Sequence, residues 1–130
     1  MNNFTEPNQG KLIFLGTGSS DGIPRVSCLT DSPITCKVCK DASDPESKNR
    51  RRNTSVAIQT IEINGNKRNI IIDAGKTFWE SAIQFFPRHN IRKIDDLIIT
   101  HAHADAIGGI DYLRDWTNFV QKKVRVNVRS

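Results

Sequence analysis

Apolar residues in this chain come in short clusters, and the spacing inside each cluster names an element. Lys11 to Leu15 is a brief apolar run that reads as a buried strand and opens into the Gly-rich turn Gly16-Thr17-Gly18-Ser19-Ser20-Asp21-Gly22. From Thr54 to Ile63 the residues alternate, Val56 and Ile58 against Ser55, Ala57 and Gln59, and the β-branched content is that of a strand. Asn64-Gly65 then reads as a hairpin turn, because both residue types tolerate positive φ, and Arg68 to Ile72 returns, ending in Asp73-Ala74-Gly75. The period changes at Thr77. Thr77 and Glu80 make a Thr-x-x-Glu capping box, and Phe78, Trp79, Ala82, Ile83 and Phe86 share one helical face until Pro87 ends the run. Leu97 to Thr100 is a continuously apolar strand of the kind buried on both faces, with His101 at its end. Gly108-Gly109 introduces a short helix over Ile110 to Trp116, and Val124, Val126 and Val128 alternate in a last strand.

Between Ile23 and Asn53 no period is sustained. This stretch, about 23–53, reads as a long irregular insertion, rich in Pro, Ser, Asp, Lys and Arg, that holds the three cysteines; such loops are usually functional or externally braced. No internal repeat or low-complexity tract interrupts the pattern. Strands and helices interleave, so the expected fold class is α/β or α+β, a sheet covered by helices, in a single domain spanning 1–130.

Composition narrows the classes. At 37% apolar and 25% charged, the chain has none of the apolar depletion of a disordered segment. Its longest apolar runs fall far short of the ~20 residues that cross a bilayer, and the opening Met1 to Pro7 has neither the basic start nor the apolar middle of a secretory signal. The expected compartment is therefore cytoplasmic, with no membrane partner. Lys and Arg outnumber acids 19 to 14, a net charge of +5 and a pI near 9.4, which suits an anionic ligand. Much of the excess lies in Lys48-Asn49-Arg50-Arg51-Arg52, which reads first as a solvated basic loop. A nuclear address stays open, but no aromatic residues interleave the cluster, which argues against nucleic acid.

The chemistry sits at a strand's C-terminal end. His101 and His103, two apart, can turn both imidazoles toward one ion, and Asp105 adds an oxygen ligand. The trio suits zinc, with manganese or iron as alternatives; such an ion lowers the pKa of bound water to ~7 and so supplies hydroxide at neutral pH. Cys28, Cys36 and Cys39 form Cys-x7-Cys-x2-Cys, whose Cys-x2-Cys end has the spacing of a zinc knuckle; a structural zinc or free thiols in a loop are the two readings. His89, alone after Pro87-Arg88, reads as a solvated side chain. Nucleotide-loop readings of the Gly-rich turn fail: a dinucleotide fingerprint needs glycine where Asp21 stands, and the turn contains no Gly-Lys-Ser/Thr.

Ile-Ile-Thr-His-Ala-His-Ala-Asp-Ala, following Ile-Ile-Ile-Asp-Ala-Gly, resembles the metallo-β-lactamase superfamily motif His-x-His-x-Asp-His and its preceding strand-end aspartate. Together with Leu-Gly-Thr-Gly-Ser-Ser and the cysteine loop, it is similar to the branch containing phosphoribosyl cyclic phosphate phosphodiesterases, with the tRNA 3-prime-end nucleases more distant. The resemblance covers about residues 11 to 128 and implies the first half of an αββα sandwich, a shortened domain. It implies His101 and His103 as first-metal ligands, Asp105 as a second-metal ligand that also orients the nucleophile, and Asp73 as the buried acid behind a ligand histidine. From the residues alone, Asp73 as a mere turn cap stays open. In the resembled enzymes the cysteine insertion holds a structural zinc. Position 106 is Ala where the motif has histidine, and the family's remaining ligands come from a second half that this sequence does not contain. The implied activity is metal-dependent hydrolysis of a small phosphodiester, cyclic phosphates included. The rival is a non-catalytic domain of the same fold that binds a partner, either a complementary chain or a second copy.

Overall fold

The computed structural model describes residues 10–129; the opening Met1 to Pro7 lies outside them. Five strands form one sheet in chain order: β1 (Lys11–Gly16), β2 (Ser55–Ile61), β3 (Lys67–Ile72), β4 (Asp96–Ile99) and β5 (Arg125–Val128). The first three pair antiparallel and the last two join in parallel. At the hairpin between β2 and β3, Gly65 alone takes positive φ, at 84°, and Glu62 and Asn66 close the loop through a 2.8 Å backbone bond. No described helix is long and apolar enough to cross a membrane.

The insertion is less irregular than its composition suggests. It folds two short helices, α1 (Val26–Leu29) and α2 (Lys37–Ala42), which pack on each other. Neither carries an apolar period, because helices this short are held by the turns around them: Asp41 accepts hydrogen bonds from Ser47 and Asn49, which also hold its carboxyl below the usual range.

Helix α3 (Phe78–Phe85) follows β3, and α4 (Ala104–Ile107), a tight helical turn over Ile110–Leu113, and α5 (Arg114–Phe119) follow β4. The capping box at Thr77 does not form. The Thr77 hydroxyl instead accepts the Asn53 backbone N–H at 2.9 Å, and Glu80 lies 3.6 Å from Arg52. Only Phe78, Ala82 and Phe86 of the expected helical face are buried; Trp79 and Ile83 are exposed, Trp79 against Tyr112. A helix covered on one side alone buries a narrow stripe, not the full arc an enclosed helix would.

Phe78, Phe86 and Trp116 form an aromatic cluster with ring centroids 5.7–6.0 Å apart, set on Ile13, Leu15, Ala57, Ile71, Leu97 and Ile99. This is the core, and it lies wholly on one face of the sheet. Strand alternation and register put Leu12, Phe14, Val56, Ile58, Ile70, Ile72 and Ile98 on the opposite face. Nothing described covers that face: Leu12 is 60% and Phe14 61% exposed, and Ile98, expected to be buried, is 38% exposed.

Removing the ring of Phe78 in Phe78→Ala should cost about 3–5 kcal/mol, as deep aromatic truncations do. Phe14→Ser on the open face should change stability by less than ~0.5 kcal/mol. Urea midpoints of the two variants check this, and equal losses would place the core on the wrong side of the sheet.

Candidate metal centre

Parallel pairing brings the C-terminal ends of β3 and β4 side by side, and the candidate residues stand just beyond them. Asp73 turns the chain at φ 61°, a left-handed conformation that aspartate tolerates better than most residues. The turn is held at every polar atom. Asp73 N–H donates to Ile98 O at 2.8 Å, and the Ser55 hydroxyl donates to Asp73 O at 2.7 Å. The buried carboxylate accepts the Thr100 N–H at 2.8 Å and the Thr100 hydroxyl at 2.6 Å.

Those two bonds decide which way the hydroxyl beside His101 points. The single hydroxyl proton of Thr100 goes to the carboxylate in the shorter, charge-assisted bond. Toward His101 Nδ1, 2.9 Å away, Thr100 Oγ1 can then only accept, so Nδ1 is the donor of that pair. The other ring nitrogen, Nε2, is left for a different partner and lies 3.2 Å from Asp105 Oδ1. His103 stands nearly perpendicular to His101, ring centroids 5.1 Å apart, and the donor atoms of His101, His103 and Asp105 all fall within 4.8 Å of one another. The set, two imidazoles and one carboxylate, half open to solvent, fits a divalent ion.

Asp105 is placed by a helix rather than an extended loop. It sits in the first turn of α4, and α4 is docked by the Ala74 N–H donating to Ala106 O at 2.8 Å. The docking leaves no space: a Cβ on Gly75 would lie 2.1 Å from Asp105 O, and one on Gly109 would lie 2.2 Å from Gly75 O. Ala106 is wholly buried, so the position offers nothing to a second ion.

Asp73 does not touch His101 directly; Thr100 connects them, a residue the motif contains but whose part in the relay spacing alone does not indicate. Asn53 carried no signal at all. It is buried, its amide nitrogen donates to Ser19 O and Ser20 O at 3.2 and 3.0 Å, and its Oδ1 has no partner. It thereby ties the Gly-rich turn to the Gly75 seam.

The second candidate cluster lies in the insertion. The sulfurs of Cys28, Cys36 and Cys39 lie within 4.8 Å of one another, and among the described residues neither His89 nor any acid joins them. Cys36 caps α2, and its thiol is held below the ordinary range first by the Cys39 backbone N–H, which reaches its Sγ at 3.5 Å, and then by the Cys39 thiol. Thiolate character is what a soft metal requires.

A family model described as the metallo-beta-lactamase superfamily matches residues 53–129, more than half of the chain. An octanoyltransferase of Porphyromonas gingivalis (strain ATCC BAA-308 / W83) is 34% identical over 104 residues, which are 80% of this chain and 18% of that protein. So short a share of the relative does not locate its named activity in the matched stretch. Among solved structures, a diphosphatase from the PhnP family aligns with a TM-score of 0.66 at 34% identity, over 92% of this chain and 41% of that one. Zinc-bound PqqB from Methylobacterium extorquens aligns at 0.57 and 17% identity, over 94% and 46%. The metallo-beta-lactamase fold protein YhfI from Bacillus subtilis aligns at 0.55 and 13%, over 92% and 36%. The last two show the fold alone. The chain spans less than half the length of each of these proteins.

Asp73→Asn keeps a side chain suited to positive φ while replacing one accepting oxygen with a donor. Metal affinity at the histidine pair should fall about 10- to 100-fold, the usual effect of removing a group that orients a ligand histidine. A competition titration with a chelating dye reads this, and unchanged affinity with the fold intact would remove Asp73 from the site.

Proposed function

Because the chain belongs to the metallo-beta-lactamase superfamily, we propose that it carries part of the active centre of a metal-dependent hydrolase acting on phosphodiesters, cyclic phosphates among them. The observation that carries the reading is the convergence of His101, His103 and Asp105, with His101 Nε2 turned toward the Asp105 carboxylate. His101 and His103 would hold a zinc ion, manganese or iron being the alternatives, and Asp105 would share it. When bound, such an ion supplies Lewis acidity and a water that ionises near neutral pH.

The chain's own residues do the rest. Asp73, through Thr100, fixes the tautomer and plane of His101, so the ligand set is organised before substrate arrives. Asp105 accepts a proton from the attacking water and aims its lone pair at phosphorus. The water oxygen bonds to phosphorus as the bond to the departing ester oxygen breaks, that oxygen takes up the proton Asp105 had accepted, and a monoester and an alcohol result, joined in one ring-opened product where the phosphate is cyclic. The diphosphatase of the PhnP family, at 34% identity, supports phosphate-ester chemistry, and the net charge of +5 agrees with an anionic substrate. In the insertion, Cys28, Cys36 and Cys39 would hold a second, structural zinc, for which the lowered Cys36 thiol is the support.

The open sheet face supports a second reading, in which this chain works with a covering partner. Leu12, Phe14 and Ile98 present an apolar surface that a complementary segment or chain, or a second copy, would bury. Such a partner would also bring further ligands to a site where Ala106 contributes none.

Elemental analysis of the purified chain should find bound metal. In His101→Ala/His103→Ala one ion should be lost and the cysteine-bound zinc kept; in Cys36→Ala/Cys39→Ala the reverse should hold. A His variant that keeps its full complement of metal removes the hydrolytic centre from this position.

With bis(p-nitrophenyl) phosphate and added zinc or manganese, turnover should appear with the chain joined to its partner and drop to background in His101→Ala/His103→Ala. Absence of turnover on diesters, monoesters, thioesters and lactones alike, with the metal bound and the partner present, would leave the non-catalytic binding domain as the function.

A further inference from the structure

The Gly-rich turn after β1 supplies no ligand to the metal centre, yet it stands at the same edge of the sheet. β1 and β3 both run antiparallel to β2, so β1 is parallel to β3 and β4, and all three strands end on one side. The turn follows the first of those ends; Asp73 and His101 follow the other two. Asn53 spans the gap. Its amide nitrogen holds Ser19 O and Ser20 O, and its Oδ1 lies 2.9 Å from where a Cβ on Gly75 would stand. The same Cβ would meet Asp105 O at 2.1 Å, so one amide and one glycine separate the turn from the ligand helix.

Three successive carbonyls of the turn are drawn to one side. Thr54 Oγ1 donates to Gly18 O at 2.8 Å, and Asn53 Nδ2 donates to Ser19 O at 3.2 Å and Ser20 O at 3.0 Å. In a trans peptide the N–H points opposite to the C=O, and the peptide bonds at these three carbonyls are trans. The N–H groups of Ser19, Ser20 and Asp21 are therefore turned away from Asn53 and Thr54. Among the described residues none of the three has an acceptor, the hydroxyls of Ser19 and Ser20 have no partner, and all three residues are exposed. Successive N–H groups held in this way make a concavity that binds anions. The glycines allow it: a Cβ on Gly18 would lie 2.7 Å from Arg52 O, and Gly22 takes φ 70°. The turn's one acid, Asp21, lines a recess with Arg25, whose guanidinium offsets its charge. Although the turn lacks the spacing of a nucleotide loop, the fold gives it five free donors by pinning its carbonyls.

We propose that this turn is an anion site that holds a phosphoryl group beside the metal centre, with Asn53 as the residue that positions it. The donors stand on the turn's own geometry; naming the anion as phosphoryl rests on the hydrolase reading. Amide and hydroxyl donors take phosphate oxygens in charge-assisted hydrogen bonds. Asn53, buried and uncharged, aims the donors by holding the carbonyls behind them.

Amide spectra of the isotope-labelled chain, titrated with inorganic phosphate, dimethyl phosphate and acetate, test the site. The host is His101→Ala/His103→Ala without added metal, so the metal centre contributes nothing. The Ser19, Ser20 and Asp21 amides should shift together and saturate with phosphate, and respond more weakly to acetate. The Gly22 N–H donates to Ser19 O at 3.0 Å, which makes Ser20 the second residue of a turn, a position proline tolerates. Ser20→Ala removes a hydroxyl alone, and Ser20→Pro removes the hydroxyl and the N–H. Phosphate affinity should fall about threefold in the first, and about tenfold or more in the second and in Asn53→Ala. The remaining amide signals check each fold. Dimethyl phosphate moving the same amides identifies a substrate diester as the source of the group; a response to inorganic phosphate alone identifies free phosphate. The proposal is overturned if residues 19–21 show no saturable shift, if acetate binds as tightly as phosphate, or if Ser20→Pro keeps full affinity. Failure of the hydrolase reading, by contrast, would show as absent metal or absent turnover and leave these shifts in place.

Discussion

Thr100 gives both of its protons, amide and hydroxyl, to one carboxylate, and the arrangement at the upper edge of the sheet follows from that. The two bonds clamp the end of β4 to the end of β3 beyond the last ladder bond. They hold Asp73 in a left-handed turn that it would otherwise adopt at a cost of order 1–3 kcal/mol. They also leave Thr100 Oγ1 with only lone pairs to offer His101, which fixes where that imidazole keeps its proton. Remove the carboxylate and three things loosen together: the strand end, the turn and the histidine.

Much of this was legible along the chain because it rests on local patterns. Strand alternation at Val56 and Ile58, the Asn64-Gly65 turn and the His-x-His-x-Asp run each draw their meaning from neighbours within a few residues, and the structure has the strands, the hairpin and His101, His103 and Asp105 side by side. The misreadings have one cause: a distant segment claimed a group that local sequence had assigned elsewhere. Thr77 matches a capping box, yet its hydroxyl is taken by Asn53 from the far side of β2. Trp79 and Ile83 fit a helical face, but α3 meets the sheet along a narrower stripe of Phe78, Ala82 and Phe86.

The same reasoning explains what spacing could not reveal. Asn53 matters because it reaches back to Ser19 and Ser20, a contact of long sequence separation with no periodic trace. Conversely, the close approach of Gly75 to Asp105 and of Gly109 to Gly75 explains why small residues cluster around the motif: main chain stacks on main chain there, and any side chain would push α4, and Asp105 with it, away from the histidines.

The order of the strands in the sheet, the same as their order in the chain, bears on how the molecule is made. Each strand emerging from a ribosome finds the edge it must join already formed, so no insertion between earlier strands is ever needed. Only the β2–β3 hairpin closes over a short stretch of chain, and the cysteine insertion between β1 and β2 is the longest detour. Growth of this kind leaves a half-built sheet with one apolar side bare and one edge unpaired at every stage, a state prone to sticking to its neighbours. Leu12, Phe14 and Ile98 lie on that bare side, so the exposed apolar face is the part of the newly made chain most open to such sticking.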